Sequence, residues 1–213
     1  MSIQSVMVVG SGLMGSGIAQ VCAQAGIEVL LYDISKEVLD KALKTIDWSV
    51  GKFVEKGKLT EEKDTIIRRI DVVEDLSAGS KVNLIIEAVF ENLELKQEIF
   101  RKLDQICAPE TLIASNTSAI PISEIASVTN RSEKVLGLHF FSPVPMMQAV
   151  EVIKGIATSD ETFQQGKNFV IQIGKEPIMV HRDVPGFVIN RINWPSTIEA
   201  MNLVEQGVAS VED

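Results

Sequence analysis

The chain has 213 residues, enough to bury a substantial core without disulfides or metals. Its 46% hydrophobic and 23% charged content is that of an ordinary globular protein and excludes a disordered, collagen-like or low-complexity chain. With 20 basic against 29 acidic residues the net charge is −9 and no basic run occurs, which argues against nucleic acid or an anionic membrane as partner and leaves local lysines to hold any anionic ligand.

Residues 3–9 form a short apolar run ending in Gly10, and residues 18–25 carry a helical pattern stopped by Gly26. Residues 28–32 read as a second strand. Ser35 then caps a long helix whose inward stripe is Leu39, Leu43, Ile46, Val50 and Phe53, ending at Gly57. Thr60 is expected to cap a further short helix through Ile70, residues 82–88 to form a buried strand, and residues 93–107 to form an amphipathic helix stopped before Pro109. Residues 112–114, 135–140 and 149–153 read as strands, the last two separated by a Ser-Pro-Val-Pro turn, and Ser159 caps a helix that ends at Gly174.

Strands alternating with helices through short loops predict an α/β fold, a doubly wound (Rossmann), mostly parallel sheet covered on both faces, over residues 1–183. The stretch Asp183-Val184-Pro185-Gly186 reads as a boundary, with residues 184–213 opening an all-α second domain through one long helix over residues 187–206. Residues 210–213 have the form of a helix start, so the chain is expected to be a shortened form of a longer protein; the alternative is a natural frayed tail.

Cys22 and Cys107 fall in helical segments outside any CxxC or Cys/His ligand spacing, which fits a reducing compartment and predicts no metal site. No basic residue precedes the first apolar run, and no stretch approaches the ~18 consecutive apolar residues that span a bilayer. A cytosolic location without membrane association is therefore expected.

Gly10-Ser11-Gly12-Leu13-Met14-Gly15 follows a strand and opens a helix, the context in which GxGxxG becomes informative. The first glycine permits the tight turn, the second lets a pyrophosphate approach the backbone, and the third lets helix pack on strand. Asp33 ends the second strand at the distance where an acid accepts from a ribose 2′-OH, and it would repel a 2′-phosphate, so NAD is expected over NADP. A flavoprotein could share the fingerprint.

His139 and Glu151 are ionisable groups inside apolar strands. If those strands pair, the carboxylate can fix the imidazole's tautomer and raise its basicity, as in a general base with its orienting acid. The bland alternative for His139 alone is a core histidine bonded to a backbone carbonyl. His181 reads as a surface loop residue. With no nucleophile elbow in the sequence, the remaining chemistry is proton removal coupled to hydride transfer.

Taken with the stretches VVGSGLMGSGIAQ, IIEAVFENLELK, IASNTSAIPI, GLHFFSPVPMMQAVEVI and PGFVINRI, the chain resembles the L-3-hydroxyacyl-CoA dehydrogenase family, its bacterial 3-hydroxybutyryl-CoA members in particular. The resemblance implies NAD-dependent oxidation of a 3-hydroxyacyl-CoA, or the reverse reduction. It implies a proton-abstracting histidine at His139, its carboxylate partner at Glu151, a hydroxyl at the substrate's reacting end at Ser118 and a positioning amide at Asn190. It also implies that Glu91 and Lys96 approach NAD, and that Ser49 and Lys56 approach coenzyme A. Ser49, Lys52 and Lys56 share one polar helical face, which fits CoA phosphates; a solvated lysine face is the alternative.

Ser142 stands where the family often has asparagine, a shorter group with less reach toward NAD. Family members continue beyond Asp213 into a helical domain that covers the substrate cleft and forms the dimer. The final helix is thus expected to expose Ile198, Met201 and Val204 and to associate as a homo-oligomer or lower solubility. Two rival expectations are a related sugar-acid (gulonate-type) dehydrogenase and a module that binds NAD without chemistry.

Overall fold

The computed structural model describes residues 2–213. Its eight strands, β1 (Ser5–Val9), β2 (Glu28–Tyr32), β3 (Ile70–Val73), β4 (Leu84–Glu87), β5 (Leu112–Ser115), β6 (Val135–Phe140), β7 (Ala149–Ile153) and β8 (Glu176–Val180), form one sheet in the order β3-β2-β1-β4-β5-β6-β7-β8. The pairings from β3 across to β6 are parallel; β7 runs antiparallel to β6, and β8 is parallel to β7. The chain order reverses between β1 and β4, the switch point at whose carboxyl ends open α/β sheets bind ligands.

The sheet is buried on both faces, and β1 shows why its sequence is continuously apolar. Val6 and Val8 belong to one core cluster, Met7 and Val9 to the other. Helices α1 (Leu13–Gln24), α2 (Lys36–Glu55), α3 (Lys63–Ile67) and α6 (Asp160–Gln172) contribute to the first cluster; α4 (Leu93–Ile106) and α5 (Ile122–Ala126) contribute to the second. The Ser35 hydroxyl accepts from Val38 N–H at the start of α2, and the Ser159 hydroxyl from Thr162 N–H at the start of α6. Asn92 caps α4 in the same way through Leu95 N–H. The last helix, α7 (Ile189–Glu205), has no buried residue.

Several features differ from the expectations, among them the short helix α5, absent from the sequence expectations. The helix after Thr60 occupies only five residues, opens at Glu62 without a side-chain cap, and leaves Thr60 capping nothing. Ile70 belongs instead to β3, where pairing of Ile70 with Val29 and the β-branched Val72 and Val73 override the helical pattern. β8 has no counterpart in the sequence expectations, because Pro177 weakens its strand signal; β8 pairs only with β7, and an edge tolerates the missing N–H. Among the described residues no helix is long and apolar enough to cross a membrane, and no group of three metal-ligating side chains occurs. Both cysteines are free and buried, and burial pushes the Cys22 thiol up to about 12 and the Cys107 thiol up to about 11, so neither is a nucleophile at neutral pH.

Gly137, two residues before His139, lets β6 lie tightly between its neighbours: an added Cβ would meet Ile153 Cδ1 at 2.8 Å and Ile122 Cδ1 at 2.9 Å. Gly137→Ala is expected to lower stability by about 1–3 kcal/mol in urea unfolding through overpacking. An unchanged midpoint would show that the two isoleucines yield freely.

Candidate active site

The loop from β1 to α1 is shaped by its glycines. Gly10 has φ 99°, and a Cβ there would lie 2.8 Å from Ala88 O; a Cβ on Gly15 would lie 1.7 Å from Gly10 O. Around Gly12, by contrast, the space a Cβ would take is open to 4 Å, and no side chain caps the helix N-terminus. The first-turn N–H groups of α1, at Leu13, Met14 and Gly15, are thus left for an anion, as a dinucleotide pyrophosphate requires. Asp33 lies beside this loop at the end of β2. Its Oδ2 accepts from Ser11 N–H at 2.8 Å and Ser11 O–H at 2.9 Å, and its Oδ1 from Ser35 N–H at 3.2 Å. A carboxylate has about four acceptor positions, so capacity remains for a ribose hydroxyl.

Across the switch point, β4 ends in a buried ion pair. Glu87 is sealed from solvent; its Oε1 accepts from Lys96 Nζ at 2.8 Å and Val89 N–H at 2.7 Å, its Oε2 from the Ser115 hydroxyl at 2.7 Å. Lys96 is itself buried and reaches Glu91 Oε2 at 3.4 Å. Glu91 Oε1 accepts from the Thr117 hydroxyl at 2.6 Å, Ser118 N–H at 2.8 Å and Ala119 N–H at 3.1 Å. Burial pushes the Glu91 carboxyl up, but these donors and the Lys96 ammonium outweigh it and hold it below the usual range. Lys96 therefore sits behind Glu91, with its charge neutralised by protein, while Glu91 and Ser118 lie at the surface of the crevice.

His139 and Glu151 stand directly opposite each other in the antiparallel β6–β7 pair. His139 Nδ1 and Glu151 Oε2 are 2.7 Å apart, both side chains buried. The second oxygen, Oε1, accepts from the backbone N–H groups of Val188 and Ile189, each at 2.9 Å. Burial pushes this carboxyl up; the bond from His139 and the two N–H groups outweigh it and keep it below the usual range. An ionised Glu151 favours the tautomer with its proton on Nδ1, in which Nε2 is the ring's acceptor. The His139 ring packs against Phe141 at 4.6 Å and Phe187 at 5.7 Å between centroids. The neighbouring backbone is fixed as well, since Asn116 Oδ1 accepts from Phe140 N–H at 2.9 Å.

Asn190, in the first turn of α7, reaches back to the loop after β5, its Nδ2 donating to Ser118 O at 3.3 Å. His139, Glu151, Ser118 and Asn190 are thus linked through α7 and the β5–α5 loop. Ser142 is exposed in the turn after β6. That turn is pinned from below by the buried Lys175, which donates to Val144 O at 2.8 Å and Met147 O at 2.6 Å. Ser49, Lys52 and Lys56 lie at the far end of α2, half-buried or exposed, with Lys52 bonded to Glu55 at 2.7 Å. A cavity of about 550 Å³ opens near that helix end, lined in part by Phe53, Lys58, Leu59, Pro145 and Met146. His181 is exposed, edge-on to Phe163 at 5.3 Å.

The residue types singled out in the sequence omit Glu87, Asn116, Thr117 and Phe187. An acid inside an apolar strand marks Glu87 by the same logic that marks Glu151. The amides of Val188 and Ile189 carry no side-chain signal at all.

Residues 5–184 match the family described as 3-hydroxyacyl-CoA dehydrogenase, NAD binding domain. The chain belongs to that family. NAD is its cofactor, and the open Gly12 cradle with Asp33 at its edge suits it. A probable 3-hydroxybutyryl-CoA dehydrogenase of Bacillus subtilis is 46% identical over 213 residues, covering 100% of this chain and 74% of that protein. The mitochondrial hydroxyacyl-coenzyme A dehydrogenase of Rattus norvegicus is 43% identical over 218 residues, covering 99% and 69%. The crystal structure of an (S)-3-hydroxybutyryl-CoA dehydrogenase from Ralstonia eutropha superposes with a TM-score of 0.94 at 42% identity, covering 99% of this chain and 75% of that one.

Two predictions follow from this NAD-binding domain's charges. Fluorescence titration is expected to show NADH binding more tightly than NADPH, because a 2′-phosphate would face Asp33; equal affinities would remove Asp33 from discrimination. Glu91, Glu151 and Asp104 (which accepts from Asn130 and Arg131) are all held below their unfolded pKa values. Their stabilisation is therefore complete above the unfolded range and lost as pH falls through the folded values, so the melting temperature should drop below about pH 4. A melting temperature constant down to pH 3 would contradict this.

Proposed function

We propose that the chain oxidises the 3-hydroxyl of a short-chain acyl-CoA, such as 3-hydroxybutyryl-CoA, to the ketone, or runs the reverse reduction, with His139 as general base. The carrying observation is the 2.7 Å contact between His139 Nδ1 and the buried, ionised Glu151. His139 Nε2 takes the hydroxyl proton as C3 gives up its hydride, and Glu151 stabilises the imidazolium that forms. The Gly10–Gly15 loop would hold NAD with Asp33 and Glu91 at its edges, and the bound cofactor would supply the hydride acceptor. Ser118 and Asn190, joined by their hydrogen bond, position the substrate oxygens. Ser142 offers a hydroxyl on the cofactor side, and Lys96 acts by fixing Glu91.

The CoA moiety is assigned to the end of α2, where Ser49, Lys52 and Lys56 offer a hydroxyl and two cations near the cavity walled by Phe53 and Met146. Residues 184–213 are read as the opening of a helical unit that follows residues 1–183, its first residues, Phe187 to Ile189, still tied to the sheet. Its exposed Ile192, Trp194, Ile198 and Met201 support self-association through α7. Two free, buried thiols fit a reducing, cytosolic setting.

The test is NADH oxidation with acetoacetyl-CoA, with and without His139→Gln. Turnover is expected, and the variant should lose ~10²- to 10⁴-fold in kcat. A fully active His139→Gln chain would defeat the base assignment. Turnover of a sugar acid in place of acetoacetyl-CoA would defeat the substrate class.

A further inference from the structure

The junction between the sheet and α7 contains two successive residues in the left-handed region, Gly186 at φ 78° and Phe187 at φ 49°. Glycine adopts this backbone freely, but a residue with a side chain does so at a free-energy cost. Phe187 is the one non-glycine residue with positive φ among those described. A turn needed only to reverse the chain would be better served by a second glycine. What the phenylalanine adds is its ring, 1% exposed, tilted 58° against the His139 imidazole with centroids 5.7 Å apart. The next two residues are the ones whose N–H groups donate to Glu151 Oε1.

We propose that Phe187 is a positioning residue for the His139–Glu151 pair: anchored in the core by its ring, it braces the imidazole and holds the start of α7 so that the Val188 and Ile189 N–H groups stay aimed at the carboxylate. This inference rests on the assignment of His139 as the base. Both contacts act on one geometry. The ring limits tilting of the imidazole, and the two amides fix the plane of the carboxylate that grips Nδ1. Removal of the anchor frees the first turn of α7, which is otherwise unburied, to leave Glu151 with an unpaired buried oxygen.

The test uses the full chain labelled with ¹⁵N-histidine, in which the exposed His181 serves as internal reference. The unmodified chain should show His139 as the Nδ1–H tautomer with a strongly downfield imidazole proton. Phe187→Gly keeps the left-handed backbone available and deletes the ring. In it the downfield proton should disappear, the tautomers should mix, and kcat with acetoacetyl-CoA should fall on the order of 10²-fold at unchanged KM for NADH. Phe187→Leu keeps most of the apolar volume and should displace the same resonance to a smaller degree, which decides the matter if the glycine variant does not bind NADH. A His139 spectrum identical to that of the unmodified chain in either NADH-binding variant would overturn the proposal. A chain without turnover, or an active His139→Gln chain, would count against the base assignment, while the spectra would still decide whether Phe187 positions the pair.

Discussion

An ionised carboxylate sealed inside a sheet is among the most expensive groups a protein can hold, and at Glu151 the surrounding structure is organised around supplying its hydrogen-bond donors. One donor comes from directly across the antiparallel ladder, at His139; the other two come from the opening of α7, at Val188 and Ile189. The antiparallel turn of β7 in an otherwise parallel half-sheet is what brings a histidine at the carboxyl end of β6 opposite an acid. With parallel pairing the return strand would need a long crossover, and the compact Ser-Pro-Val-Pro turn, pinned by Lys175, would have no place.

The same constraint recurs on the cofactor side. Glu87 is buried at the end of β4 and satisfied by Lys96, Ser115 and Val89, and the buried Lys96 ammonium is also met by Glu91. Glu91 in turn gathers the backbone of the β5–α5 loop, whose next residue back, Asn116, holds Phe140 on β6. That loop is therefore locked at one end to the dinucleotide side and at the other to the strand that carries His139. This run of hydrogen-bonded polar groups ties the two sides of the crevice to each other.

What the sequence reveals of this depends on whether a feature is local. The glycine loop, Asp33, the helix caps at Ser35 and Ser159, and the strands of the sheet's centre are all consecutive or evenly spaced residues whose types follow from their own backbone needs. β3 and β8 are edge strands defined by their partners: Ile70-Asp71-Val72-Val73 continues a helical pattern until β2 claims it, and Pro177 masks a strand that only its position at the rim permits. At the site, His139 and Glu151 stand out as charges in apolar runs. Their remaining donors are backbone amides 37 and 38 residues downstream of Glu151, and an amide has no residue signature. Phe187 reads as the first residue of the final helix, whereas its φ of 49° puts it outside that helix, in the left-handed region.

Charge arrangement around the cradle also resolves an apparent conflict in a chain of net charge −9 that binds an anionic dinucleotide. The carboxylates at the crevice, Asp33 and Glu91, stand at its edges and can only accept hydrogen bonds, so they suit hydroxyls. The middle, between Gly10 and Gly15, presents backbone N–H groups and the positive end of α1, so it suits phosphate. Glu87, the most deeply buried acid of the set, is neutralised by Lys96 before its field reaches the crevice. The cradle thus meets an anion with peptide dipoles, and Asp33 at its edge would oppose a further phosphate at the ribose.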